Sequence, residues 1–203
     1  PGGFIVPAMS SGNEMVVNGM SPSNRNSPWA NSGIVVEVKL DDLGKYSTFG
    51  PLAGLELQRE LEGLAFNHKD GSGVVAPAQR LADFVASKPS TNLPSCSYYP
   101  GISTSSIHEW LPSSIAKRLQ EGFRQFDRKM RGFVTNEAVV VALESRTSSP
   151  IRIPRNCDTL QHIQVQGLYP CGEGAGYAGG IVSSAVDGER CAEALANWLG
   201  VNE

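Results

Sequence analysis

Hydrophobic positions along the chain follow two periods, and these predict strands at both ends and helices between them. Residues 4–6 and 14–17 are short apolar runs separated by Gly12 and Asn13, the pattern of paired strands joined by a turn. Residues 18–33, NGMSPSNRNSPWANSG, are almost all Asn, Ser, Gly and Pro, which predicts a loop. A loop this long in a compact protein is usually functional or mobile. Residues 34–40, IVVEVKL, are rich in β-branched residues and predict a strand.

Helical spacing takes over from there. Leu52, Leu55, Leu61, Leu64 and Ala65 predict a helix over residues 51–66. Residues 76–86 predict another, with Pro77 in the first turn and Leu81, Ala82 and Val85 on one side. Residues 89–104 predict a loop. The longest helix is expected over residues 111–130, where Ile115, Leu119, Phe123 and Phe126 form an apolar stripe. Its opposite side carries Lys117, Arg118, Glu121, Arg124, Arg128 and Lys129 and is read as a solvated face. Strands are expected again at residues 138–144, 151–153 and 167–171. A last helix spans residues 181–199, with Ile181, Ala185, Gly188, Ala192, Leu195 and Leu199 along one side. The mixture defines an α+β fold: mixed sheet segments, a helical middle region, and a C-terminal strand, glycine-rich loop and helix.

Composition narrows the classes of function. The chain has 203 residues, 40% apolar and 18% charged, with a net charge of −3 and no basic block. Nucleic acid is therefore not an expected partner. No apolar run approaches the roughly 20 residues that span a bilayer, so no membrane partner is expected either. Cys96, Cys157, Cys171 and Cys191 have no metal-binding spacing, and His68, His108 and His162 lie far apart. No metal site is expected, and the thiols read as reduced, in keeping with a cytoplasmic protein. Cys171 has no resolving partner nearby in sequence and is expected as a small buried residue. The chain opens Pro-Gly-Gly-Phe without an initiator methionine and is read as part of a longer polypeptide.

Chemistry concentrates near the C-terminus. Gly172, Gly174, Gly176, Gly179 and Gly180 fall within nine residues, between an expected strand and an expected helix. Glycine lets a ligand approach the backbone closely. A helix beginning at Gly180 or Ile181 offers free N–H groups and the positive end of its dipole to an anion or a polarised oxygen. Gly174, Gly176 and Gly179 also fit G-x-G-x-x-G. The dinucleotide fingerprint needs a second strand with an acid at its end beyond the helix. The sequence after residue 199 has no room for one, so a complete βαβ unit is not expected.

The run GLYPCGEGAGYAGGIVSSAVDG, residues 167–188, resembles the C-terminal element of flavoproteins with two dinucleotide-binding domains: strand, Gly-acid, small-residue loop, helix. NGMS with NSG, PLAGLELQREL, APAQRLADF and ESRTSSPIRIPR extend the similarity over nearly the whole chain, to a bacterial family of FAD-dependent dehydrogenases. The resemblance implies FAD as cofactor, with Gly172, Glu173, Gly174, Ala175, Gly176, Gly179, Gly180 and Ile181 contacting it. Glu173 takes the place of the acid near the ribityl and pyrophosphate groups, and Gly179, Gly180 and Ile181 present N–H groups toward the flavin. It also implies a preceding segment of the same polypeptide that binds the ADP half of FAD. On this reading residues 1–165 form a substrate or cap domain, and residues 166–203 are the last element of the FAD-binding domain.

For the substrate side, Arg146 and Arg152 are candidate carboxylate forks, or else surface charges. The 18–33 loop offers Asn24, Arg25 and Asn31 as donors, either as a lid or as a solvated connector. Two functions are carried forward. The first is an oxidoreductase that moves a hydride between FAD and a small-molecule substrate, with NAD(P)H as one candidate electron partner. The second is a non-enzymatic binding domain in which the glycines serve packing only. No catalytic acid or base stands out.

Overall fold

A computed structural model describes residues 2–9, 11–71 and 73–201. The chain divides into two units, Pro1–Asp42 with Arg59–Ser145, and Leu43–Gln58 with Arg146–Glu203. The fold is α+β. The division runs through a 3-10 helical stretch, Leu40–Leu52, and through helix α1, Ala53–Asn67.

The first unit holds all five strands found among the described residues. Strands β1 (Phe4–Pro7) and β2 (Val17–Met20) pair antiparallel, Phe4 opposite Met20 and Pro7 opposite Val17. The expected N-terminal hairpin is therefore present, with its second strand three residues later than the apolar run suggested. A second sheet has β3 (Ala76–Arg80) at its centre. It lies parallel to β4 (Ile102–Thr104) and antiparallel to β5 (Val139–Val141).

Strand β3 corrects the expected helix over residues 76–86. Only its second half is helical, as α2 (Leu81–Ala86). Ala76, Ala78 and Gln79 are fully buried between neighbours on both sides, and this packing overrides the helical spacing of Leu81, Ala82 and Val85. Pro77, read as a first-turn residue, sits in the strand instead. It falls one position beyond the β5 ladder, where its carbonyl accepts the Ala142 N–H at 3.0 Å and its missing N–H breaks no pairing.

Helices α3 (Ile107–Trp110) and α4 (Ser113–Lys129) complete this unit. The α4 stripe points inward, with Ile115 and Phe123 buried and Leu119 and Phe126 half-buried. Phe123 meets Phe84 of α2 edge-on, with ring centroids 6.0 Å apart. Buried Gln120 donates to Phe84 O at 2.8 Å and to Ser87 Oγ at 3.0 Å, which satisfies the end of α2. On the charged side, Arg118 is not simply solvated. It grips both carboxylate oxygens of Asp42, at 3.1 and 3.0 Å, and donates to Glu37 O at 2.7 Å.

Residues 34–40, expected as a strand, form no ladder. Val35, Val38 and Leu40 are exposed, and β-propensity without a pairing neighbour leaves extended chain. Residues 151–153 and 167–171 likewise form no strand. Among the described residues, the second unit has only an isolated bridge between Arg155 and His162. Its one long element beyond residue 146 is α5 (Ile181–Leu199), found with the expected bounds. Its buried side differs from the expected stripe. Asp187 and Cys191 are buried, while Ile181 is 92% exposed and Leu199 is exposed.

Candidate functional site

The glycine-rich segment is a tight turn closed by its own backbone. Gly176 N–H donates to Glu173 O at 2.9 Å, and Tyr177 N–H donates to Gly172 O at 3.0 Å. Ile153 N–H reaches Ala175 O at 3.1 Å, and Ser149 Oγ donates to Gly174 O at 3.2 Å. The turn is therefore stitched to residues 149–153. Gly176 has φ +81°, and a methyl group on it would stand 2.6 Å from Ile151 O. That position requires glycine.

A buried ion pair locks the turn onto α5. Arg155 meets Asp187 through two hydrogen bonds, Nη1 to Oδ2 at 3.0 Å and Nη2 to Oδ1 at 2.7 Å. Only 9% and 11% of the two side chains is exposed. Asp187 Oδ2 also accepts the Gly172 N–H at 2.9 Å, and Arg155 donates to Pro170 O at 2.7 Å. The Tyr177 ring lies 3.7 Å below the Arg155 guanidinium, and its hydroxyl donates to Ile153 O at 2.9 Å. The Arg155 hydrogen bonds hold the Asp187 carboxyl below its ordinary range, and the Gly172 N–H adds to this. Asp187 raises Arg155 in turn.

The residues expected to hold a flavin come together here. Gly172, Glu173, Gly174, Ala175 and Gly176 form the turn, and Gly179, Gly180 and Ile181 lead into α5. Gly180 caps α5 with no side-chain hydrogen bond, and the first helical bond runs from Ser184 N–H to Gly180 O. The N–H groups of Ile181, Val182 and Ser183 lie ahead of it. A recess along this helix start is lined by Tyr177, Gly180, Ile181, Val182, Val186 and Arg190. The Glu173 side chain has no hydrogen-bond or ion-pair partner among the described residues. A methyl group on Gly174 or Gly179 would meet no protein atom within 4 Å, so the backbone there is open to a ligand. An uncovered glycine backbone, uncapped N–H donors, a half-buried acceptor without a partner, and the exposed apolar Ile181 and Val182 fit a planar, polar-edged cofactor such as a flavin.

The candidate substrate residues divide between the units. Arg146 and Arg152 belong to the second. Arg152 is exposed and stacks on the outer part of this network, its guanidinium 4.3 Å from the Tyr177 ring. Asn24, Arg25 and Asn31 belong to the first. Asn24 and Arg25 are exposed, and Arg25 has φ +43° in a turn closed by its N–H to Pro22 O at 3.1 Å. Asn31 Nδ2 donates to Phe4 O at 2.7 Å, while Gly2 and Gly3 N–H groups both reach Trp29 O. These bonds tie residues 29–31 to the chain at β1, while residues 18–20 of the expected loop belong to β2.

Sequence reasoning missed Asp187 and Tyr177. Asp187 lies four residues before Cys191, and both sit on the buried side of α5; an acid on such a side is a signal for a buried partner. Cys171 is also corrected: it is exposed, not buried, and it is a free thiol. The described residues contain no group of three metal-ligating side chains and no helix long and apolar enough to cross a membrane.

The first unit contains a separate cavity of about 430 Å³, walled by Trp29, Phe84, Phe123 and Phe133. Glu144 and Cys96 also line it.

With the α+β fold and the glycine turn in place, comparison with known proteins gives the class. Residues 1–147 match the model of a family described as FAD-dependent protein, C-terminal domain-like, and the chain belongs to that family. A relative from Clostridium beijerinckii, described as an uncharacterized protein, is 43% identical over 195 residues. The match covers 95% of this chain and 36% of the relative, so the chain spans little more than a third of that protein's length.

Proposed function

We propose that this chain is part of an FAD-dependent oxidoreductase that transfers a hydride between the flavin and a small-molecule substrate, with NAD(P)H as an electron partner. In this reading residues 166–203 contact the flavin, and residues 1–165 form the substrate or cap part. A further segment of the same polypeptide binds the ADP half of the cofactor. The observation that carries the reading is the pairing of an uncapped α5 start with a turn whose Gly174 and Gly179 face open space. The family assignment supports FAD as the ligand. When bound, FAD supplies the hydride acceptor. The N–H groups of Ile181, Val182 and Ser183 offer a positive pole to a polarised cofactor oxygen, and Glu173 offers an acceptor to cofactor hydroxyls. The Arg155–Asp187 pair positions the turn.

A packing-only role for the glycines is favoured by Gly176, whose conformation and close contact already require glycine. Gly174 and Gly179 have no such requirement, and they separate the two readings. Glu173→Ala in the FAD-loaded polypeptide is expected to weaken FAD retention about tenfold or more, the scale of a hydrogen bond to a charged group. Gly179→Val is expected to do the same while leaving Tm unchanged. Flavin absorbance after gel filtration checks both, and full retention by both variants removes the assignment.

A further inference from the structure

The cavity of the first unit has a wall chemistry that selects a ligand class. Its volume, about 430 Å³, lies within the ordinary range of small-molecule pockets. Trp29, Phe84, Phe123 and Phe133 supply aromatic surface. The charged residues that line it, among the described residues, are Glu137 and Glu144, with no Lys, Arg or His. Two of the neighbouring polar groups are engaged elsewhere. Asn31 Nδ2 donates to Phe4 O, and Ser97 Oγ accepts the Ile5 N–H at 3.0 Å.

Glu144 differs from these groups. It is half-buried, follows β5 by three residues, and has no hydrogen-bond or ion-pair partner among the described residues. Its carboxylate lies against Gly33, 2.9 Å from where a side chain on that residue would begin. A carboxylate held against bare backbone, in an aromatic cavity without a cation, is an unfilled half of an ion pair.

We propose that this cavity binds an organic ammonium ion with an aromatic body, the ring against Trp29 and the phenylalanines and the ammonium group on Glu144. Aromatic faces attract cations, and a carboxylate partner strengthens the contact when both are withdrawn from water. Burial pushes the Glu144 carboxyl up from its ordinary value, the mark of a charge whose partner is absent. Burial also pushes the Cys96 thiol up, so that wall position stays neutral at neutral pH. The proposal does not depend on the flavin reading, because it concerns the first unit alone.

Three indoles that share a ring and differ in charge test it: tryptamine, tryptophol and indole-3-acetate, each titrated calorimetrically into the chain near pH 7.5. Tryptamine is expected to bind at least about tenfold more tightly than tryptophol, a difference of roughly 1.4 kcal/mol, with indole-3-acetate weakest. Glu144→Gln is expected to bring tryptamine down to the level of tryptophol and leave tryptophol unchanged. Gly33→Ala, whose methyl would displace the carboxylate tip now 2.9 Å away, is expected to weaken tryptamine binding in part and leave tryptophol unchanged. Circular dichroism confirms that each variant is folded. Absence of binding by all three indoles overturns the proposal, as does indole-3-acetate matching tryptamine. A tryptamine preference that survives Glu144→Gln also overturns it.

Discussion

Asp187→Ala is expected to destabilise the second unit by about 2–3 kcal/mol, because it leaves Arg155 as a buried charge without its partner. The substitution also removes the acceptor for the Gly172 N–H. For a chain of this length the loss amounts to a fall in Tm of several degrees. Its pH dependence follows from linkage. The folded-state pKa of Asp187 lies below the unfolded value. Its contribution is therefore fully present above the ordinary aspartate range near pH 4 and is lost as pH falls through the folded-state value. Wild type and Asp187→Ala should differ most at neutral pH and converge in acid. Thermal unfolding at several pH values checks this, and a constant difference across the range would show that the ion pair is not the source.

Gly176→Ala should have the second large effect. The residue holds φ +81°, where an alanine costs about 1–3 kcal/mol from conformation alone. The added methyl would also lie 2.6 Å from Ile151 O, so the turn must move off the 149–153 segment. The expected result is a Tm fall comparable to that of Asp187→Ala, together with loss of flavin contact as the turn shifts. Gly174→Ala is the matched control, since its methyl meets nothing within 4 Å and Tm should not change. Equal losses at the two glycines would mean that the turn has a different conformation.

These two positions show what a sequence makes readable. Glycine spacing announces a tight turn by itself, because few other residues tolerate such backbone. The same holds for the lengths of α4 and α5 and for the apolar stripe of α4, whereas the buried side of α5 was not the one its spacing suggested. The Arg155–Asp187–Tyr177 lock was not readable, because it joins positions up to 32 residues apart and exists only once α5 folds back over the turn. The strand expected over residues 34–40 failed for a related reason. IVVEVKL has the composition of a strand, but a ladder needs a neighbour, and none of the described residues pairs with it. Strand β3 failed in the opposite sense, since burial between β4 and β5 made a strand of residues whose spacing suggested a helix. The cavity at Glu144 was also invisible, because its walls come from stretches spread along the chain between Ile5 and Glu144.

The FAD-dependent family fits the glycine turn in chemistry, while the family match itself covers residues 1–147 and stops short of the turn. The central claim therefore rests on the geometry of residues 172–183. Amide hydrogen exchange across that stretch, with and without FAD, tests it most directly. The N–H groups of Ile181, Val182 and Ser183, together with Gly174 and Gly179, are expected to become strongly protected when FAD binds. Exchange at these amides that is unchanged by FAD, with protection appearing elsewhere or not at all, would contradict it.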